Sequence, residues 1–154
     1  MPLLDFLSPD AIAPSLKAQS KKQALHDLAA HAARLVGRDE REIFDTLLQR
    51  ERLGSTGIGE GVAIPHGKLP KLDRLFGLFA RLEKPIDFEA LDGEPVDMLF
   101  LLLAPEGAGA DHLKALARVA RMLREPGTHE RIRAARDASA LYAVLTQESA
   151  PRAA

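Results

Sequence analysis

The chain has 154 residues, 28% of them charged and 46% hydrophobic, which is the balance of a soluble globular protein with enough length to bury a sizeable core and little room for intrinsic disorder. Lys and Arg number 21 against 22 Asp and Glu, so the net charge of -1 offers no general attraction for nucleic acid or anionic lipid. Cysteine is absent, which excludes a disulfide framework, thiolate zinc sites and a cysteine nucleophile. The opening Met1-Pro2-Leu3-Leu4-Asp5 carries no basic leader, and no apolar run reaches the length of about 18 residues that a membrane span requires. These features predict a cytoplasmic protein with no membrane insertion, folded as a single domain over residues 4–148 with a frayed tail over 149–154.

Ser20 with Gln23 reads as a capping box, and Leu25, Leu28, Ala29, Ala32, Leu35 and Val36 then follow helical spacing until Gly37 stops them. Asp39 opens a second helix with Ile43, Phe44, Leu47 and Leu48 on one face, closing before Gly54. Three apolar runs follow and read as strands: residues 61–64, halted by Pro65, then 75–82, and then 96–103, the last apolar enough to be central. From Asp111 the helical period returns through Leu113, Leu116, Ala117, Ala120 and Leu123. A short piece follows Pro126-Gly127-Thr128, and a last helix carries Leu141, Val144 and Leu145. Helices before and after a central group of strands predict a three-layer α/β sandwich, with a central mixed β-sheet flanked by helices.

The densest signal is Gly54-Ser55-Thr56-Gly57-Ile58-Gly59-Glu60-Gly61, four glycines in eight positions, running directly into Val62-Ala63-Ile64-Pro65-His66-Gly67-Lys68. Such a loop suits either a nest of amides around an anion or an ordinary tight connection. It is not a P-loop, because Gly67-Lys68 has Val62 where the first glycine belongs and Leu69 where Ser or Thr belongs. Nor is it a dinucleotide fingerprint, since Ile64 replaces the third glycine and Pro65 prevents the following helix. Pro65 and Gly67 bracket His66 and predict an imidazole held at the end of a strand, from which the chain turns away at Gly67. A fixed, mostly neutral imidazole is a competent nucleophile, and a partly buried structural histidine fits the same spacing.

The remaining histidines read as solvated. His26 and His31 are five apart and miss the i, i+4 spacing of a zinc pair, His129 sits near a helix start, and His112 reads as a half-exposed ring opening the third long helix. The acidic run Asp87, Glu89, Asp92, Glu94 and Asp97 lacks the frame of a calcium loop and reads as solvated turns. No Gly-x-Ser-x-Gly elbow occurs.

Over residues 54–69 the chain closely resembles the type-2 enzyme IIA family of the bacterial phosphotransferase system, in its nitrogen-regulatory branch. The likeness extends through residues 20–25, 48–53, 85–88, 95–100 and 112–113, nearly the whole chain. The resemblance implies a phosphocarrier in which His66 accepts a phosphoryl group on Nε2 from a phosphorylated HPr-like protein (NPr). Arg50 and His112 would border the phosphorylated ring and, with loop amides, stabilise the transferred charge, with no cofactor and no metal. The implied partners are that donor and regulated potassium transport or sensor proteins. A sugar-specific IIA of the fructose or mannitol type, passing phosphate to a IIB domain, and a non-covalent regulatory binding module are the competing readings.

Overall fold

The computed structural model describes residues 2–147. After a 3-10 turn at Leu3–Asp5 the chain forms β1 (Ile12–Leu16), α1 (Lys21–Val36), α2 (Glu40–Arg52), β2 (Gly57–Gly59), β3 (Val62–Ala63), β4 (His66–Leu69), β5 (Phe76–Ile86), β6 (Val96–Pro105), α3 (Ala110–Arg124), α4 (Thr128–Ala134) and α5 (Ala138–Thr146). The strands make one mixed sheet in the order β1-β5-β6-β3-β2, with β4 also paired to β6. Helices α1 and α2 pack together, and α3, α4 and α5 pack in succession, giving the expected sandwich. The tail expected over 149–154 lies outside the described residues.

The N-caps form where the sequence places them, though the return bond of the expected capping box comes from Gln19 N, one residue before Ser20, to Gln23 Oε1 at 2.9 Å. Ser20 Oγ accepts from Gln23 N at 3.1 Å, Gly37 closes α1 in the left-handed conformation with φ 67°, and Asp39 caps α2 through Glu42 N at 3.3 Å. The sheet is built around β6, whose residues from Met98 to Ala104 are all fully buried. It runs antiparallel to β5, with Phe79 opposite Phe100, and parallel to both β3 and β4.

The pairings of β3 and β4 keep one register: Val62 faces Met98, Ala63 faces Leu99, His66 faces Leu102 and Gly67 faces Leu103. The two are a single line of chain interrupted at Ile64-Pro65, where proline has no N–H for the ladder. The Pro65 carbonyl still accepts from Leu102 N at 2.9 Å. His66 therefore begins a strand rather than ending one, and the chain does not turn away at Gly67. Glycine is needed there because a Cβ would lie 2.5 Å from Thr46 Cγ2 of α2.

The α3 stripe is rotated from its expected phase. His112, Ala115, Val119, Met122 and Leu123 face the sheet, while Leu113 is 69% exposed. Treating the imidazole as a solvent group shifts the pattern by one residue, about 100° around a helix. Two strands, β1 and β2, and the continuation β4 are absent from the sequence pattern; Pro14 interrupts the first, and glycine dilutes the other two.

The close approach at Gly67 gives a test. Gly67→Ala should lose about 1–3 kcal/mol of stability through overpacking. Thr46→Ser, which removes Cγ2 and leaves the nearest Thr46 atoms at 3.8 Å, should restore most of it in the double mutant by urea unfolding.

Candidate active site

The glycine-rich segment folds as a β-hairpin rather than as an anion nest. Glu60 (φ 57°) and Gly61 (φ 83°) form a two-residue turn of the left-handed kind that hairpins favour, joining β2 to β3. Four of its amides are already engaged. Gly54 N donates to Glu51 O at 3.1 Å, Thr56 N to Glu51 Oε1 at 3.0 Å, Gly57 N to Ser55 Oγ at 3.0 Å and Glu60 N to Asp92 Oδ2 at 2.9 Å. For these four amides the expected cradle for a phosphoryl group is corrected, because side-chain and backbone acceptors have taken them.

What the hairpin delivers is the half-buried ring of His66. Its Nδ1 lies 2.8 Å from the Ile64 carbonyl. A carbonyl can only accept, so Nδ1 carries the proton and the neutral ring leaves its lone pair on Nε2. Arg50, in the last turn of α2, donates from Nε to that Nε2 at 3.2 Å and from Nη1 to Gly54 O at 3.0 Å. The His112 ring stands edge-on to His66 with centroids 5.4 Å apart. It is 8% exposed, and its Nε2 is buried with no hydrogen-bond partner among the described residues. An unpaired buried nitrogen costs about 1–3 kcal/mol, which an oxygen arriving beside His66 would relieve. The three residues singled out in the sequence therefore converge, and His112 is buried rather than half-exposed.

Burial pushes the His66 pKa below its ordinary 6.5; the Ile64 hydrogen bond opposes this, Arg50 adds to it and the Glu51 carboxylate opposes it. Burial likewise lowers His112, and the neighbouring His66 and Lys68 push it the same way. Both rings are neutral at neutral pH, the state a nitrogen nucleophile needs.

The other expectations resolve separately. His26 is exposed with its ring 5.1 Å from that of Phe44, and His31 is half-buried. His129 is not solvent-facing: its Nε2 lies 2.6 Å from Leu123 O, near the end of α3, where unpaired helix carbonyls attract a donor. Asp97 is no solvated turn either, being half-buried in β6 and bonded through both oxygens to Arg133 at 3.1 and 3.2 Å. Among the described residues no cluster of three or more potential ligands could hold a metal ion, and no helix is long and apolar enough to cross a membrane.

Sequence reasoning missed Glu51 and Thr56, which pin the start of the loop. An acidic residue in the last turn of a helix was the available signal, because the helix dipole disfavours negative charge there.

The lowered pKa values fix a pH dependence. In the unfolded chain His66 titrates near 6.5 and in the fold below it, so stability from the neutral ring is present above pH 6.5 and is lost as pH falls through the folded value. Imidazole NMR should show the Nδ1-protonated tautomer and a His66 pKa below 6.5, and a titration at or above that value would contradict the geometry.

The model of the family "Phosphoenolpyruvate-dependent sugar phosphotransferase system, EIIA 2" matches residues 5–148. The chain is 66% identical over 145 residues to the nitrogen regulatory protein of Bradyrhizobium diazoefficiens, covering 94% of this chain and 95% of that one. The crystal structure of nitrogen regulatory protein IIA-Ntr from Neisseria meningitidis has a TM-score of 0.88 at 33% identity, covering 94% of this chain and 99% of that one. The mannitol IIA of Escherichia coli, solved in complex with phosphorylated mannitol IIB, shares the fold with a TM-score of 0.75 at 16% identity, covering 92% of this chain and 97% of its own. The chain therefore belongs to the EIIA type-2 family of the phosphotransferase system, in its nitrogen-regulatory branch.

Proposed function

We propose that the chain is a cytoplasmic phosphocarrier, acting as one domain over residues 4–148, in which His66 Nε2 accepts a phosphoryl group from a phosphorylated HPr-like protein (NPr). The observation that carries this reading is the Nδ1 contact to Ile64 O, which leaves the Nε2 lone pair directed at Arg50 and beside His112.

The transfer follows from those contacts. The Nε2 lone pair attacks phosphorus, the donor's bond to phosphorus breaks, and its electron pair leaves with the donor. His66 becomes the phosphorylated ring while its Nδ1 keeps its proton and goes on donating to the Ile64 carbonyl. In the resting site Arg50 Nε occupies the lone pair at 3.2 Å, so the guanidinium passes from nitrogen to the incoming phosphoryl oxygens while Gly54 O retains its other end. His112 supplies the second donor from a ring already buried, so little solvent has to be rearranged as charge develops.

Phosphorylation adds about -1.5 to -2 charges to a nearly neutral protein, sufficient to change which partner surface it tolerates. Regulated potassium transport or sensor proteins fit that role, in keeping with the nitrogen regulatory proteins that the chain resembles. The sugar-specific alternative is tested by the same protein. Incubation of the phosphorylated chain with a IIB domain should leave the label in place, whereas onward transfer would support the sugar role.

The central test is incubation with the phosphorylated donor followed by mass spectrometry in alkali, which preserves phosphohistidine. The expected result is one adduct on His66, none in His66→Ala, and uptake slowed by about ten- to a hundred-fold in His112→Ala, the rate equivalent of losing one charge-assisted hydrogen bond. A label persisting in His66→Ala would refute the assignment. Uptake should be level above pH 6.5 and fall only at more acid pH, as the ring begins to protonate.

A further inference from the structure

Glu51 breaks a rule of local structure. It lies in the last turn of α2, where aligned carbonyls disfavour an anion, and its side chain is only 3% exposed. A carboxylate so buried is tolerated when it is paired and fully hydrogen-bonded. Lys21 Nζ, from the first turn of α1, donates to Oε1 at 3.0 Å, Thr56 N donates to the same oxygen at 3.0 Å, and the Thr56 hydroxyl donates to Oε2. Lys21 is itself seated over the Phe88 ring at 5.0 Å from its centroid. Thr56 is 4% exposed, so its two bonds to the carboxylate are buried, while Lys21 also reaches the exposed Glu89 at 3.4 Å on the outer side.

The segment between Glu51 and Thr56 contains Gly54, whose carbonyl accepts from Arg50 Nη1 at 3.0 Å and whose amide donates to Glu51 O at 3.1 Å. The guanidinium that touches His66 therefore rests on a carbonyl whose place is set by a short loop, and both ends of that loop are tied to one carboxylate.

We propose that Glu51 is the positioning residue of this site: its buried carboxylate clamps Thr56 to the end of α2, and so holds Gly54 O where it keeps the Arg50 guanidinium on His66 Nε2. The proposal rests on the reading of His66 as phosphoryl acceptor. A carboxylate serving only the architecture would leave the chemistry of His66 unaltered in a folded variant. Glu51 also acts on His66 by charge, opposing the depression caused by Arg50. The groups against the His66 ring are Arg50 from α2 and His112 from α3, with Glu51 of α2 acting on it through charge alone and Lys68 of β4 acting on His112.

Glu51→Gln keeps the size of the side chain and an oxygen acceptor for Thr56 N but removes the charge. It should fold, as judged by circular dichroism and by amide shifts remote from α2. In that folded variant the Arg50 Nε–H resonance should exchange faster, the His66 pKa should drop below that of the parent protein, and uptake from phosphoramidate should slow by about tenfold, the scale of one weakened charged hydrogen bond. Phosphoramidate is the probe because its P–N bond breaks with loss of ammonia and no partner protein is involved. Should Glu51→Gln fail to fold, Thr56→Val, which keeps the carboxylate and removes one of its bonds, should still speed Arg50 Nε–H exchange and slow uptake. A folded Glu51→Gln protein with parental Arg50 exchange, His66 titration and uptake rate would overturn the proposal, as would a folded Thr56→Val protein with parental exchange and uptake. If the parent protein took up no phosphoryl on His66, the acceptor reading would fall, while the Arg50 and His66 spectra would still decide whether Glu51 positions them.

Discussion

The hydrogen bond between His66 Nδ1 and the Ile64 carbonyl is the contact on which the site depends. It exists because Pro65 interrupts the ladder: Ile64 lies outside both β3 and β4, and its carbonyl meets the ring two residues on. Because β3 and β4 keep the same register along β6, the interruption releases a carbonyl without releasing the strand. The direction of the imidazole is consequently inherited from the buried central strand of the sheet. One hydrogen bond of ordinary length then decides the tautomer, and the tautomer leaves the free lone pair on Nε2.

Around that nitrogen the direct contacts are with a cation and a neutral ring. Arg50 touches Nε2, and His112 stands 5.4 Å away ring to ring. The acid next in sequence to Arg50, Glu51, is committed to Lys21 and Thr56, so Arg50 is not drawn into a carboxylate pair of its own. A guanidinium neutralised by an adjacent acid would offer an incoming phosphoryl group far less. The depressed pKa of His66 belongs to the same arrangement, because the burial and the cation that favour an incoming anion also disfavour a proton on the ring.

Much of this was legible in the residues. The Ile64-Pro65-His66-Gly67 run identifies a backbone-fixed imidazole, Ser20 and Asp39 announce their helices, and Val96 to Leu103 reads as the central strand it is. The errors have physical causes. Glycine density in residues 54–61 suggested free amides, but a two-residue turn with positive φ at Glu60 and Gly61 uses glycine to reverse the chain, and the acceptors that consume the amides, Glu51 and Asp92, lie on other elements. His112 was phased outward because polar residues normally face water, whereas a ring that serves the site turns onto the sheet and exposes Leu113 in its place. Gly67 looked like a chain reversal because glycine permits one; its real constraint is the passage of α2 over β4, a tertiary contact that no local pattern records.

On the proposed reading, side chains rather than a full nest of backbone amides would receive the phosphoryl group, which matters for a carrier. A nest of fixed amides holds an anion continuously and lowers its ground state along with the transition state, which gains nothing in rate and slows release. Here one donor is a guanidinium that already has a resting partner in His66 Nε2, and the other is a ring with an unpaired nitrogen. The first must give up a hydrogen bond to serve the phosphoryl group and regains it on departure; the second gains one on arrival and loses it again. The opposing exchanges keep the two states of the site close in free energy, which a protein that both takes and gives up phosphate requires.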